Sequence, residues 1–163
     1  MNALRRLPIG TQDFELLRSN GDLYVDKTQY IEKLFLLGRV FFLSRPHRFG
    51  KSLFLSTLKA YFEGKKELFE GLYIEKAEVE LAKQQKREPW EAHPVLYFDL
   101  NAKVYTYADA LKERLSMQLE TLESIYEVEK SGSMPDDRLI RLIKTLHRKT
   151  GKRVVLLVDE YDK

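Results

Sequence analysis

The sequence predicts an α/β fold, a parallel sheet layered between helices, and three stretches of the chain predict it. The first is Val40-Phe41-Phe42-Leu43, an apolar run that reads as a short buried strand and leads into a loop ending Gly50-Lys51-Ser52. Behind that loop Leu53, Phe54, Leu58, Tyr61 and Phe62 recur at helical spacing. The second is Val95-Leu96-Tyr97-Phe98-Asp99-Leu100, a second core strand. The third is Arg153-Val154-Val155-Leu156-Leu157-Val158-Asp159-Glu160, a continuous apolar run closing on two carboxylates. A run apolar on both sides reads as a strand buried on both faces, as in a parallel sheet.

The elements between these stretches follow in order. Leu7 to Gly10 opens with turn formers, and Asp13 to Leu17 reads as a short helical turn. Asn20-Gly21-Asp22 is a turn signal, followed by an extended Leu23-Tyr24-Val25. Asp26 or Thr28 is then placed to cap a helix with Ile31, Leu34 and Phe35 on its apolar face and Gly38 as its stop. After the loop helix, Glu67 to Ile74 reads as a short helix and Glu75 to Arg87 as an exposed one whose charges form a solvated face. Tyr107 to Tyr126 carries Ala108, Leu111, Leu115, Leu119 and Leu122 in one stripe. Pro135-Asp136-Asp137 starts a further helix, with His147, Arg148 and Lys149 in its last turn and Gly151 after it. Strands alternating with helices argue right-handed parallel crossovers.

Bulk properties narrow the function. The chain has 163 residues, of which 44% are apolar and 33% charged, an ordinary composition for a chain with one core. A net charge of +3 is too small to argue for nucleic acid, and there is no cysteine, so disulfides and thiolate metal sites are excluded. The lack of cysteine fits a cytoplasmic setting. No apolar run approaches the roughly 18 residues of a membrane span. His47, His93 and His147 lack the spacing of zinc ligands.

The chemistry concentrates in two places. In a strand–loop–helix context, glycine lets the backbone approach phosphate oxygens, and the amides at the helix start point at the anion. Lys51 is then set to reach terminal phosphates, and the Ser52 hydroxyl to ligate magnesium. The standard loop has a glycine five residues before Gly50, where this chain has Arg45. At the other end, Asp159 stands where a carboxylate holds magnesium through water, and Glu160 where one polarises the attacking water. Each pair also has a plainer use, Lys51-Ser52 as a helix start and Asp159-Glu160 as a strand-end cap. Asp99 is read as a turn cap. Pro8, Ile9 and Phe14 lie where a preceding segment can hold a base, although packing on the sheet is the favoured reading of that lead-in. Only three strong strands occur, so the domain is expected to be truncated after the Asp159 strand.

Several motifs together resemble one family. They are Pro8-Ile9-Gly10 with Asp13-Phe14-Glu15, Tyr24-Val25-Asp26-Lys27-Thr28, and Phe42-Leu43-Ser44-Arg45-Pro46 with Arg48-Phe49-Gly50-Lys51-Ser52. Leu55-Ser56-Thr57-Leu58, Tyr61-Phe62-Glu63-Gly64, Leu68-Phe69-Glu70-Gly71-Leu72 and Asp159-Glu160-Tyr161-Asp162 continue the match. The chain is similar to the AAA-ATPase-like family, whose P-loop domain usually precedes a PD-D/E-x-K nuclease-like domain. Arg45-Pro46 agrees with the family, while His47 stands where an arginine is more usual.

The resemblance implies a P-loop NTPase-like three-layer α/β/α fold, with residues 1–38 as a lead-in arm and helix and 39–163 as a partial core. It implies ATP and Mg2+ as ligands at a variant Walker A loop and a Walker B strand. The backbone of Arg48, Phe49, Gly50 and Leu53 would cradle the phosphates, with Lys51 on the β- and γ-phosphates. Ser52 and Asp159 would hold magnesium, and Glu160 would orient the water. Two further functions stay open: a regulatory module that binds ATP without turnover and switches a nuclease-like effector, and a nucleic-acid-binding module. The latter lacks the aromatic-basic stripe that single-strand binding calls for.

Overall fold

A computed structural model describes residues 6–44, 49–101, 109–132 and 134–161. The chain divides into two units, Met1–Ala92 and His93–Lys163.

The first unit is helical. Helix α1, Phe14–Ser19, starts where the Asp13 carboxylate accepts the Leu16 amide at 2.8 Å. Helix α2, Gln29–Leu37, ends at Gly38, and α3, Lys51–Phe62, follows the Gly50 loop. A 3-10 turn, Lys66–Phe69, leads to α4, Tyr73–Gln84. Aromatic rings fill the centre: Phe14 lies 5.0 Å from both Tyr24 and Phe69, and Trp90 lies 5.2 Å from Phe69 and 5.6 Å from Tyr61. Gly64, at φ +74°, is confined by its surroundings as well as its backbone, because a Cβ there would meet the Trp90 carbonyl oxygen at 2.8 Å.

Four readings of this unit are revised. Asp26 and Thr28 flank the start of α2, yet they cap α4. The Asp26 carboxylate accepts the Tyr73 amide at 2.7 Å, and the Thr28 hydroxyl accepts the Ile74 amide at 3.1 Å. Sequence distance hides such a cap, since donor and acceptor are more than 45 residues apart. The short helix read over 67–74 is a 3-10 turn with α4 already begun at Tyr73, because Gly71, at φ +77°, breaks the run. The α4 charges are also not all solvated. Glu78 is fully buried, accepting the Tyr61 hydroxyl at 2.5 Å, Arg87 Nη1 at 2.6 Å and the Trp90 amide at 2.8 Å. A buried carboxylate needs this many donors to replace its water.

Val40 to Leu43 forms neither helix nor ladder, and Val40 is 93% and Phe42 71% exposed. The strand expected there is corrected for a physical reason. Its apolar residues need ladder neighbours on both sides, and the sheet of the described residues comprises two other strands.

That sheet forms the second unit. Strands β1, Val95–Asp99, and β2, Val155–Asp159, run parallel in a register that sets Val95 opposite Val155 and Asp99 opposite Asp159. Helices α5, Ala110–Ile125, and α6, Pro135–Thr150, cover one face. Leu96 and Phe98 pack there with Leu119, Leu122, Leu142 and Leu146. Pro135 at the start, Asp136 and Asp137 in the first turn, and Gly151 in the left-handed region bound α6 as its sequence predicts. The helices are joined by a buried, two-point ion pair, Arg138 Nε to Glu123 Oε1 at 3.1 Å and Nη2 to Oε2 at 2.6 Å.

Side chains of and just beyond α5 seal the outer edge of β1. The Tyr126 hydroxyl accepts the Val95 amide and donates to the Val95 carbonyl, both at 2.8 Å. Gln118 accepts the Asp99 amide at 2.9 Å and donates to its carbonyl at 2.8 Å, with Arg114 Nη2 on the same oxygen at 3.2 Å. Side-chain amides and hydroxyls thus complete the backbone pairing there.

Candidate functional site

The candidate residues fall in two groups, one in each unit. In the first unit, Phe49, Gly50, Lys51, Ser52 and Leu53 form one continuous loop-to-helix start. Gly50 has φ +78° and ψ +28°, the left-handed geometry that turns the chain into α3. Its carbonyl accepts the Phe54 amide at 3.0 Å, which closes the first turn. No side chain caps α3, and its first turn holds no acidic residue. The start of this twelve-residue helix carries leading amides and the positive end of its dipole, the features that suit an anion. Lys51 and Ser52 are half-buried, and Phe49 is exposed. Arg45 and Arg48 lie outside the described residues.

The back of α3 is fixed by the lead-in segment. Ser56 Oγ accepts the Phe14 amide at 2.9 Å, and the Thr57 hydroxyl meets that of Tyr24 at 3.3 Å. Burial pushes the Tyr24 hydroxyl pKa up, so the group stays neutral and able to share this bond. Phe14 is wholly buried in the aromatic core and is not a base contact. Pro8 is half-buried and Ile9 exposed.

Lys27 was not singled out by the sequence. Its Nζ lies 3.9 Å from the position a Cβ on Gly50 would occupy. The signal for it was present, because Lys27 sits within the Tyr24-Val25-Asp26-Lys27-Thr28 motif.

In the second unit, Asp159 closes β2 and is 5% exposed. Its Oδ1 accepts the Glu160 amide at 2.9 Å and its Oδ2 accepts the Tyr97 hydroxyl at 3.1 Å. Glu160 leaves the strand with φ +57°, a left-handed conformation that a non-glycine residue adopts at a cost. The sharp bend lets its amide reach back to Asp159. Asp99 acts as the turn cap the sequence predicts, its Oδ1 accepting the Asn101 amide at 2.8 Å. Tyr97 is the residue that sequence reasoning missed, since a tyrosine inside an apolar strand reads as core.

Asp159 and Ser52, one in each unit, each offer the hard oxygen that magnesium takes. Asp159 supplies a hard carboxylate whose two oxygens each keep a lone pair beyond the bond they accept, and Ser52 supplies a hydroxyl. Among the described residues no cluster of three or more histidine, aspartate or glutamate side chains forms a self-contained metal site.

Comparison with known proteins places the chain. The model of the AAA-ATPase-like family, described as "Predicted AAA-ATPase", matches residues 8–163, and the chain belongs to that family. A protein of Azotobacter chroococcum mcd 1 described as "Uncharacterized protein in vnfD 5'region" is 38% identical over 161 residues. That match covers 98% of this chain, which spans 29% of the relative's length. No solved structure gives a significant match. Among the described residues no helix is long and apolar enough to cross a membrane.

Proposed function

We propose that this chain binds ATP with magnesium through the loop that opens α3. The observation that carries the reading is the left-handed Gly50 leading into Lys51-Ser52 on a helix with neither a capping side chain nor an acid in its first turn. The backbone amides from Arg48 to Leu53 receive phosphate oxygens, and the Lys51 ammonium neutralises the β- and γ-phosphates. Ser52 and Asp159 are the residues that would hold a magnesium ion, which would supply positive charge to the phosphates. Tyr97 and the Glu160 amide keep the Asp159 carboxylate oriented, and Glu160 holds the proton of the attacking water. In-line attack then forms the water oxygen–γ-phosphorus bond and breaks the bond to the β–γ bridging oxygen, releasing ADP and phosphate.

The same reading takes the fold as a three-layer P-loop one, with residues 1–38 as the lead-in and 39–163 as the nucleotide-binding core. It sets the domain in the cytoplasm, coupled to a nuclease-like effector. Membership of a family described as predicted ATPases supports the nucleotide-binding part of this reading.

The test is calorimetric titration with ATP, with and without magnesium, of the intact protein and Lys51→Ala. Binding weakened about a hundredfold in the variant is expected, near 2.7 kcal/mol of charge-assisted hydrogen bonding. Equal affinity in the two proteins would refute the assignment of the loop.

A further inference from the structure

The geometry points to Lys27 as a second phosphate-binding lysine of this site, an inference that rests on the nucleotide reading above. Lys27 comes from the segment between α1 and α2, remote in sequence from the loop. Its ammonium nevertheless sits 3.9 Å from the Cβ position of Gly50, the residue whose turn exposes the α3 amides.

Its placement is built rather than incidental. The residues on either side are tied to the start of α4. Asp26 accepts the Thr28 amide at 2.8 Å, the Thr28 hydroxyl at 2.7 Å and the Tyr73 amide at 2.7 Å. Thr28 is fully buried and accepts the Ile74 amide. With its backbone pinned on both sides, Lys27 swings only through its own side chain, and that half-buried side chain ends at the loop.

The electrostatics call for an anion. Among the described residues no carboxylate lies within ion-pairing distance of the Lys27 ammonium. The carboxylate nearest in sequence, Asp26, is engaged by the three donors of its own turn and of α4. Next to Lys27 stand the uncapped amides of α3, without an acid in its first turn. An unneutralised ammonium beside a positive helix end is an unfavourable arrangement until an anion arrives. A compact ammonium suits a phosphate as a point charge, and a polyphosphate chain is long enough to engage Lys27 and Lys51 together. The Tyr24-Val25-Asp26-Lys27-Thr28 motif thereby acquires a division of labour. Asp26 and Thr28 dock the segment on α4, and Lys27 faces the ligand.

The experiment compares the intact wild-type protein with Lys27→Met, Lys27→Arg and Lys51→Ala. Each is titrated with magnesium-ATP and with tripolyphosphate, and each is melted without ligand. Methionine keeps most of the apolar stem and removes the charge. Lys27→Met is expected to weaken both ligands at least about tenfold, with Lys27→Arg within about threefold of wild type and ligand-free melting unchanged. Loss for ATP but not for tripolyphosphate would overturn a phosphate role. Wild-type affinity in Lys27→Met, or a loss that only tracks a lowered melting temperature, would also overturn it. If Lys51→Ala abolishes binding while Lys27→Met retains it, this inference falls and the nucleotide reading stands. If the wild-type protein binds neither ligand, both fall.

Discussion

The hydroxyl of Tyr97 donates to Oδ2 of Asp159 at 3.1 Å, from the middle of β1 to the last residue of β2. The parallel register makes the bond possible, because Asp159 stands opposite Asp99, two residues beyond Tyr97 on the same face. With the Glu160 amide on the other oxygen, the carboxylate is gripped from both sides. A group gripped in this way is held in one orientation, as a freely solvated surface acid is not.

Tyr97→Phe removes one grip and keeps the ring. The expected outcome is a threefold to tenfold loss of ATP affinity, about 0.7–1.4 kcal/mol for one hydrogen bond, seen only with magnesium present. Titration with and without the ion checks it, and an equal loss under both conditions would place the effect elsewhere.

Glu160→Gln keeps the side chain's size and removes its capacity to take a proton. ATP binding is expected to persist, with phosphate release slowed by about a hundredfold or more, the usual worth of a general base. A coupled phosphate assay beside the binding titration separates the two quantities.

Glu123 and Arg138 test the second unit's packing. Glu123→Ala strands the Arg138 guanidinium between α5 and α6, and a loss of about 3–5 kcal/mol in urea unfolding is expected. Replacing both partners by leucine and methionine restores most of that loss, since an apolar pair needs no charge compensation.

Tyr61 carries a pH dependence. Burial, then the hydrogen bond to Glu78 and its negative charge, push its hydroxyl pKa well above the usual tyrosine value. In the unfolded chain it ionises near pH 10, whereas the folded protein keeps the proton. The stabilisation is therefore complete below about pH 10 and declines as the pH rises beyond it. Urea midpoints measured from pH 9 to 11.5 should fall less steeply in Tyr61→Phe, by up to about 1.4 kcal/mol per pH unit.

Where local signals governed the structure, the sequence was readable. Asp13 caps α1, Gly38 and Gly151 end their helices, and Val95 opens β1, while β2 lies within the run read over 153–160. Gly50-Lys51-Ser52 starts a helix where the spacing of Leu58 and Tyr61 demanded one. What stayed hidden depends on partners distant in the chain. Asp26 caps a helix 47 residues away, and Glu78, read as solvated, is enclosed by Tyr61, Arg87 and Trp90. The apolarity of Val40 to Leu43 indicates a preference for burial but not which strand supplies it. Lys27, though inside a quoted motif, and Tyr97 were passed over for the same reason, since what each approaches lies far off in the sequence.

The most direct measurement of the central claim is amide NMR of the 15N-labelled protein titrated with magnesium-ATP. Amides that receive phosphate oxygens move strongly downfield on binding. The account predicts that Gly50, Lys51 and Ser52 shift most and saturate with the calorimetric affinity, and that Lys51→Ala needs about a hundredfold more ligand to approach saturation. Saturable shifts confined to residues away from the start of α3, or none at all, would contradict it.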